Sequence, residues 1–325
     1  MPFAYDPTSN AFVFAHAPRE LHRKLVFLDP RYMAETPKSA PIPAPDLVEP
    51  ARAAARPLHF IFHTAFCCST LLSRALDQPG MSMGVKEPAI LVQLSHPAAA
   101  RPRTDGVDPL DIALDLLSRP LAPGETQIVK PSNAANGLIP AILEKRPRAK
   151  ALALYSPLDA YLRSSARMGH AGRQFNRQMF AQLAQTLPLL QRYTVQELML
   201  QTDLQIAAQV WLMQAALLSE VAQRRGAERV RSLTSATLLA DKAGSLQRLG
   251  AFWDLSTSPE RWAEIAASPV FANEAKSHDE TPFDAGAKRA ADAVHAAEVA
   301  LTFAWGRSLA AQAHAPLDLG DTLFD

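Results

Sequence analysis

The chain has 325 residues, enough for one large domain, or for one domain with a cap, to bury a full hydrophobic core. A net charge of +1 offers no overall attraction to nucleic acid or to an anionic membrane, so we expect neither as a partner, and any anion site must be local. The two cysteines, Cys67 and Cys68, are neighbours and poorly placed to bridge, which predicts no disulfide framework and favours a cytoplasmic location.

The first 57 residues are predicted to form an N-terminal extension to the main domain. Two short apolar runs, AFVFAH at 11–16 and KLVFLD at 24–29, are typical of strands that could form a hairpin. Residues 35–57 are rich in proline and alanine. Because proline blocks both ladder and helix bonding, we expect an extended linker there.

From residue 58 onward, strand-like and helix-like segments alternate along a predicted domain that spans 58–325. The predicted strands are LHFIFH at 58–63, MGVKEP at 83–88, TQIVK at 126–130, AKALALY at 149–155 and ERVRSL at 228–233. Strands with continuous apolar runs, each followed by a helix, predict an α/β fold with a parallel sheet covered on both faces. The second half of the chain is predicted to be mostly helical.

The stretch TAFCCST, residues 64–70, links the first of these strands to the first helix. Ligands of parallel sheets bind beyond the carboxyl ends of the strands, and His63 lies at such an end. Consecutive backbone N–H groups of the loop could surround one anion, with hydroxyl groups donating to it as well. An ordinary strand-to-helix turn is the alternative interpretation. The predicted anion-binding residues are Thr64, Ala65, Phe66, Cys67, Cys68, Ser69 and Thr70.

This loop resembles the 5′-phosphosulfate-binding loop of the P-loop sulfotransferases, in which Ser-Thr-Leu-Leu opens the helix after a short loop. CCSTLLSRAL at 67–76 matches that ending, whereas the nucleotide-triphosphate form G-x-x-x-x-G-K-[ST] is absent. The resemblance implies a P-loop-like three-layer fold. It also implies 3′-phosphoadenosine 5′-phosphosulfate (PAPS) as the donor, with 3′-phosphoadenosine 5′-phosphate (PAP) as its product. The family usually has a lysine or arginine inside the loop, and that position falls on Phe66.

A second stretch, ALALYSPLDAYLRSSAR at 151–167, resembles the R-x-P-x-D-x-x-x-S segment that holds the 3′-phosphate in this family. Pro157 and Asp159 fit the pattern. Tyr155 stands where the family has arginine, and Arg163 stands where it has serine. The resemblance therefore implies a 3′-phosphate site, with two departures from the signature.

Arg163 and Arg167 lie four residues apart on one face of the predicted helix, with Ser164 between them. Two arginines at this spacing could bind a phosphate together. The alternative is that Ser156 and Asp159 cap the helix and that both arginines face solvent.

Two lysines are candidates for the cation that the loop lacks. The stretches VKEP and VKPSN place Lys86 and Lys130 at the ends of predicted strands, where either could stabilise the bridging oxygen of the donor. Glu87 lies downstream of the loop, where some bacterial sulfotransferases place a catalytic glutamate. Glu87 or His63 could take the proton from the acceptor hydroxyl. The alternative is that Lys86 and Glu87 pair with each other or with solvent.

The first hypothesis is transfer of a sulfuryl group from PAPS to a hydroxyl of a small-molecule acceptor. An ATP-dependent phosphotransferase would need Mg²⁺ ligands; Thr70 could supply one, but no apolar strand ends in aspartate at the right place. A non-catalytic nucleotide- or anion-binding protein is the third hypothesis, which Phe66 favours.

No C-x-x-C spacing is present, and the one H-x-x-x-H spacing, His59 to His63, falls within a predicted strand, where side chains four residues apart are too distant to share a metal; no metal site is predicted. Lys276 and His278, in a polar loop near the C-terminus, are further candidates for contact with the donor. The sequence indicates neither the acceptor nor the oligomeric state.

Overall fold

The computed structural model of the chain describes residues 1–99, 106–186, 193–255, 257–274 and 281–325. The candidates Lys276 and His278 lie outside these residues. Its strands are β1 (Pro2–Asp6), β2 (Ala11–Phe14), β3 (Ile42–Pro43), β4 (Leu58–His63), β5 (Ser82–Lys86), β6 (Thr126–Lys130), β7 (Ala151–Tyr155) and β8 (Val230–Thr234). Its α-helices are α1 (Arg19–Lys24), α2 (Ala44–Ala54), α3 (Ser69–Ala75), α4 (Ala89–Leu94), α5 (Pro109–Leu117), α6 (Ile139–Lys145), α7 (Leu158–Arg167), α8 (Gly169–Thr186), α9 (Val195–Met199), α10 (Asp203–Arg225), α11 (Ser235–Ala240), α12 (Lys242–Phe252), α13 (Pro259–Ala267), α14 (Ala285–Val294) and α15 (Ala296–Ala313). Two 3₁₀ helices cover Asn133–Leu138 and Pro269–Phe271.

Within the described residues, five strands form a parallel sheet in the order β5-β6-β4-β7-β8. Every residue of β4, β5 and β7 is buried, as expected for strands covered on both faces. The predicted α/β class and parallel sheet are confirmed. The mostly helical second half is confirmed as well, because β8 is the one strand among the described residues that follow Tyr155.

The N-terminal region forms a second, antiparallel sheet in the order β1-β2-β3. The predicted strand over KLVFLD, 24–29, does not form, because α1 ends at Lys24 and the residues after it are irregular. Val26 and Leu28 of this run are nevertheless completely buried. A short apolar run indicates burial, but its periodicity alone does not decide the backbone conformation.

The Pro/Ala-rich segment is not extended over its whole length, as was predicted, because α2 occupies residues 44–54. Pro45 lies in the first turn of α2, where the missing N–H would have no helical partner. Ala44, Leu47 and Ala51 are buried at helical spacing, and α2 packs against α5. This burial offsets the cost of Pro50 inside the helix.

The chain divides into two compact units, which are described separately. The first unit contains Met1–Phe62, Ser69–Ala151 and Lys242–Pro282. In it, α3 contacts both β5 and β6. A Cβ atom on Gly84 of β5 would lie 2.0 Å from the carbonyl oxygen of Ser73 in α3. Only glycine permits this close approach, which holds α3 against β5.

The second unit contains His63–Cys68, Leu152–Asp241 and Phe283–Asp325. Its core is built around the long helix α10, whose Trp211 and Leu212 are completely buried together with Tyr161 of α7. The side chains of Thr202 and Gln205 form a reciprocal cap at the start of α10. None of the described helices has the length and apolar character needed to cross a membrane.

Candidate functional site

The loop that follows β4 has an unusual backbone. Ala65, Phe66 and Cys68 have φ angles of +70°, +51° and +63°. For residues with a Cβ atom, this left-handed region costs about 1–2 kcal/mol each, so the surrounding structure must impose the conformation. Backbone strain of this kind is concentrated at functional sites, and turns that mix backbone conformations can form anion-binding concavities.

The first two amides of the loop already have acceptors within the second unit. The Thr64 N–H donates to the carbonyl oxygen of Leu154 at 3.3 Å, and the Ala65 N–H donates to Nδ1 of His63 at 3.1 Å. The Thr64 carbonyl accepts from Nε2 of Gln214 at 3.3 Å. An anion could accept from the Thr64 and Ala65 amides only if it displaced these acceptors. Nδ1 of His63 is one of them, because it accepts from the loop backbone.

Phe66, at the position of the missing loop cation, is a packing residue. Its ring lies edge-on to Tyr161, with 5.1 Å between centroids, and to Phe175, with 5.6 Å between centroids. Burial, followed by the neighbouring Cys67, raises the pKa of Tyr161, so its phenol stays neutral. The Tyr161 hydroxyl donates to Oδ1 of Asn176 at 2.7 Å. Position 66 thus contributes an aromatic contact and no charge.

The left-handed loop backbone predicts an unequal effect of two alanine-to-glycine substitutions. Ala65 and Ala166, a helical residue of α7, are buried in the same core. Both Ala65→Gly and Ala166→Gly delete one buried methyl group and loosen the unfolded chain, but only Ala65→Gly relieves a left-handed φ. We expect Ala65→Gly to destabilise the protein by at least about 1 kcal/mol less than Ala166→Gly in urea unfolding. Equal losses would contradict the left-handed conformation at residue 65.

The start of α7 does not show the capping by Ser156 and Asp159 that was the alternative interpretation. The helix begins at Leu158, its N-cap residue is Pro157, and no side chain caps it. Ser156 therefore does not serve as the cap; instead, its carbonyl oxygen accepts from Nε1 of Trp211 at 2.8 Å. Its buried hydroxyl has no hydrogen-bond partner among the described residues.

Both arginines predicted to bind the 3′-phosphate are held by carboxylates of the second unit. Nη2 of Arg163 lies 2.6 Å from Oδ2 of Asp159, and Nη1 of Arg167 pairs with Asp292. Nη2 of Arg167 also donates to the Ser164 hydroxyl at 2.9 Å. A phosphate group at these arginines would have to compete with two carboxylates. Both arginine side chains remain partly exposed to solvent.

The two strand-end lysines lie side by side in the first unit. Lys86 ends β5, Lys130 ends β6, and the two residues are partners in the parallel register. Lys86 is 2% exposed and Lys130 is 0% exposed. Neighbouring strands lie about 4.8 Å apart, so two ammonium groups are buried in one region. Burial of charge at such positions is costly unless something compensates for it.

Glu87 compensates for one of these charges. Its carboxylate pairs with the Lys130 ammonium, and its N–H donates to the Lys130 carbonyl at 2.7 Å. A φ of +48° at Glu87 provides the sharp turn after β5. The Lys130 ammonium also lies 5.2 Å from the ring centroid of Phe27. The alternative that Glu87 pairs with Lys86 is therefore wrong, because Glu87 pairs with Lys130 of the neighbouring strand.

The Lys86 ammonium has a weaker partner than Lys130. It donates to the backbone carbonyl of Arg23 at 3.4 Å. Burial, followed by repulsion from Arg74, lowers the pKa of Lys86 to about 7, although Asp77 acts in the opposite direction. Lys86 is therefore close to half-protonated near neutral pH, and an anion beside it would raise its pKa again.

The end of α1 and the residues that follow it complete this region, and sequence reasoning missed their role. Phe27 lies over Lys130, the Arg23 carbonyl accepts from Lys86, and the Leu28 N–H donates to the Lys86 carbonyl at 2.9 Å. The available signal was the apolar run at 24–29, which we interpreted as a strand. A backbone carbonyl used as an acceptor leaves no trace in the side-chain pattern.

Ser69 and Thr70 begin α3 and belong to the same unit as the lysines. Both are buried, and Arg74, which contributes to the potential at Lys86, lies one turn further along this helix. Among the described residues, no group of three or more His, Cys, Asp or Glu side chains is placed to hold a metal ion.

No protein-family model matches the chain, and no curated protein matches it. The chain is similar to solved sulfotransferase structures. A sulfotransferase from Mycobacterium avium has a TM-score of 0.42 and 14% identity, with 85% of this chain and 81% of that chain covered. The sulfotransferase from Alicyclobacillus acidocaldarius has a TM-score of 0.40 and 20% identity, covering 66% and 91%. The sulfotransferase domain of the Synechococcus PCC 7002 olefin synthase has a TM-score of 0.40 and 14% identity, covering 77% and 95%. Similarity at this level establishes no shared activity.

Proposed function

We propose that the chain transfers a sulfuryl group from PAPS to a hydroxyl group of a small-molecule acceptor. The observation that supports this best is the pair of buried strand-end lysines, Lys86 and Lys130, of which Lys130 pairs with the Glu87 carboxylate. Ligands of parallel sheets bind at the carboxyl ends of the strands. Excess buried positive charge at such an end favours an anionic ligand, because the anion relieves the repulsion between the two ammonium groups.

Lys86 is the proposed contact to the transferring group. The charge of Lys130 is balanced by Glu87, whereas the Lys86 ammonium donates to a carbonyl. A donor with several negative charges would raise the pKa of Lys86 above about 7 and keep it protonated while the donor is bound. The hydroxyl groups of Ser69 and Thr70 are proposed to donate hydrogen bonds to the same donor.

In the proposed reaction, the acceptor oxygen attacks the sulfur atom of PAPS in line with the leaving group. The bond between sulfur and the bridging oxygen breaks, its electron pair leaves with PAP, and Lys86 or Lys130 stabilises the charge that develops there. The acceptor proton passes to Glu87, or to His63 once its Nδ1 no longer accepts from the Ala65 N–H; these are the proposed bases. This transfer needs no metal ion, because the positive charge is supplied by side chains.

In the second unit, the loop residues Phe66–Cys68 are the proposed contact to the 5′-phosphosulfate. Their strained backbone supports the assignment. Arg163, Ser164 and Arg167 are the proposed contacts to the 3′-phosphate, which would replace Asp159 and Asp292 as partners of the two arginines.

Transfer of radiolabelled sulfuryl groups from PAPS to a panel of phenols and aliphatic alcohols tests this function. We expect labelled product, and we expect Lys86→Ala to lower kcat by about 100-fold or more through loss of a charge that stabilises the transition state. Lys150→Ala is the matched control, because that lysine pairs with Asp254 at the surface of the same unit. Undiminished turnover in Lys86→Ala would contradict the assignment. PAP binding without turnover would support a non-catalytic protein, and turnover with ATP and Mg²⁺ would support a phosphotransferase.

A further inference from the structure

The first unit contains a cavity of about 240 Å³ on one face of β5 and β6. Met83 and Val85 of β5 and Gln127 of β6 line it, and Met83 and Gln127 are partners in the parallel register. Successive side chains of a strand point to opposite faces. Gly84, between Met83 and Val85, packs against α3, so the cavity lies on the face of β5 opposite to α3.

Two buried polar side chains that line this mostly apolar cavity carry nitrogen atoms without hydrogen-bond partners among the described residues. His22 of α1 is 4% exposed and Gln127 is 2% exposed. Among the described residues, no group meets hydrogen-bond geometry with either imidazole nitrogen of His22 or with Nε2 of Gln127. The Ala17 backbone lies near enough to the imidazole to act on its pKa, but it does not meet that geometry. Buried polar groups are nearly always hydrogen-bonded, so two unpartnered groups at one cavity indicate that a polar ligand atom belongs there.

The charge state of His22 bears on the class of ligand. Burial, followed by the positive charge of Lys86, lowers the pKa of His22 to about 3, so the imidazole is neutral at physiological pH. The neutral ring has one acceptor nitrogen and one donor nitrogen, and the Gln127 amide nitrogen is a donor. A hydroxyl group can donate to the first residue and accept from the second. The other walls include Phe14, Leu116 and Leu117, which suit an apolar body. Met1 and Arg119 also line the cavity, but the Met1 amino group donates to the Ala15 carbonyl and Arg119 is exposed.

We propose that this cavity is a binding site for a small, uncharged, apolar molecule that carries a hydroxyl group, such as a simple phenol. The hydroxyl group pairs with His22 and Gln127, and the apolar body fills the space between the β5–β6 face and the side chains of α5. The cavity reaches Met83 and Gln127, three residues before Lys86 and Lys130, or about 10 Å along the strands. The site therefore does not depend on the proposed sulfuryl transfer.

Binding of p-cresol, 4-methylanisole and toluene, three probes of nearly the same shape, tests the proposal. We expect p-cresol to raise the Tm and to bind at least about tenfold more tightly than toluene in calorimetry, because only p-cresol can donate to His22 and accept from Gln127 at once. The anisole accepts a hydrogen bond but donates none, so we expect it to lie between the other two. In methyl NMR spectra, the Met83 signal should shift with p-cresol.

Gln127→Leu removes the unpartnered donor with little change in volume. We expect it to reduce p-cresol affinity about tenfold, to leave toluene binding unchanged or stronger, and to keep or raise the Tm. Gln312→Leu, at an exposed position of α15, is the matched control and should bind p-cresol like the original chain. Equal affinity for toluene and p-cresol in the unsubstituted protein would overturn the proposal without any variant. Absence of p-cresol binding would also overturn it, and would indicate that water alone satisfies these groups.

Discussion

Replacing Glu87 with glutamine is expected to lower the free energy of unfolding by about 3 kcal/mol. The substitution keeps the shape of the side chain and its left-handed backbone, but it removes the carboxylate charge that pairs with Lys130. Lys130 is completely buried. A buried charge that loses an ion-pair partner is costly because water does not replace the lost attraction. Urea unfolding at neutral pH measures the change.

A double-mutant cycle separates this ion pair from general damage to the region. Lys130→Met alone should cost less than Glu87→Gln, because the Glu87 side chain keeps 15% of its exposure and can recruit water. Glu87→Gln combined with Lys130→Met should recover most of the loss, giving a coupling energy of about 2 kcal/mol or more. Additive losses would contradict a direct pair between the two residues.

Replacing Lys86 with methionine is expected to stabilise the protein, in contrast to most substitutions of buried residues. Lowering the pKa of Lys86 from 10.5 to about 7 means that the folded state disfavours its charge by on the order of 5 kcal/mol. Methionine fills a similar volume without that charge. We expect Lys86→Met to raise the free energy of unfolding by about 2–4 kcal/mol at pH 6. The gain is smaller than the full cost of the charge because the substitution also removes the hydrogen bond to the Arg23 carbonyl.

The pH dependence of this gain has a definite sign. Below pH 7, Lys86 is charged in both the folded and the unfolded states, so the original chain carries the full cost. Between pH 7 and about 10.5, the unfolded chain retains a proton that the folded protein has released, so the original chain gains stability as the pH rises. The advantage of Lys86→Met should therefore shrink through this range. Lys150→Met, at a surface ion pair, should change stability by less than about 1 kcal/mol at every pH.

The predictions for Glu87→Gln and Lys86→Met together describe a region that is less stable because it keeps positive charge buried. If Lys86→Met is more stable and also fails to bind an anionic ligand, the cost of Lys86 is explained by function. If Lys86→Met is more stable and binds anions unchanged, the lysine has no role in anion binding.

Sequence reasoning located the two strand ends but not the interactions between them. A lysine followed within one or two residues by proline marks the end of a strand, and this pattern placed Lys86 and Lys130 correctly. Their partners depend on which strands are neighbours and on the backbone at Glu87. The neighbour relation of β5 and β6 is long-range, and a left-handed glutamate has no signature in a single sequence.

For the loop after β4, too, the position could be predicted from the sequence but the conformation could not. Its position between a buried strand and a helix could be predicted from apolar periodicity alone. Its conformation could not, because three non-glycine residues there adopt an angle that local preference disfavours. Packing of Phe66 against Tyr161 and Phe175, from helices more than 90 residues away, accompanies this conformation. In α2, likewise, proline predicts an extended segment, but burial of one face stabilises a helix.

Calorimetric titration with PAP, before and after the Lys86→Met substitution, tests the anion assignment most directly. We predict that PAP binds the original chain, that Lys86→Met weakens this binding by about tenfold or more, and that ATP with Mg²⁺ binds more weakly than PAP. A folded protein that releases no heat with PAP, or that prefers ATP with Mg²⁺, would contradict the proposal that the buried strand-end charge serves a sulfuryl donor.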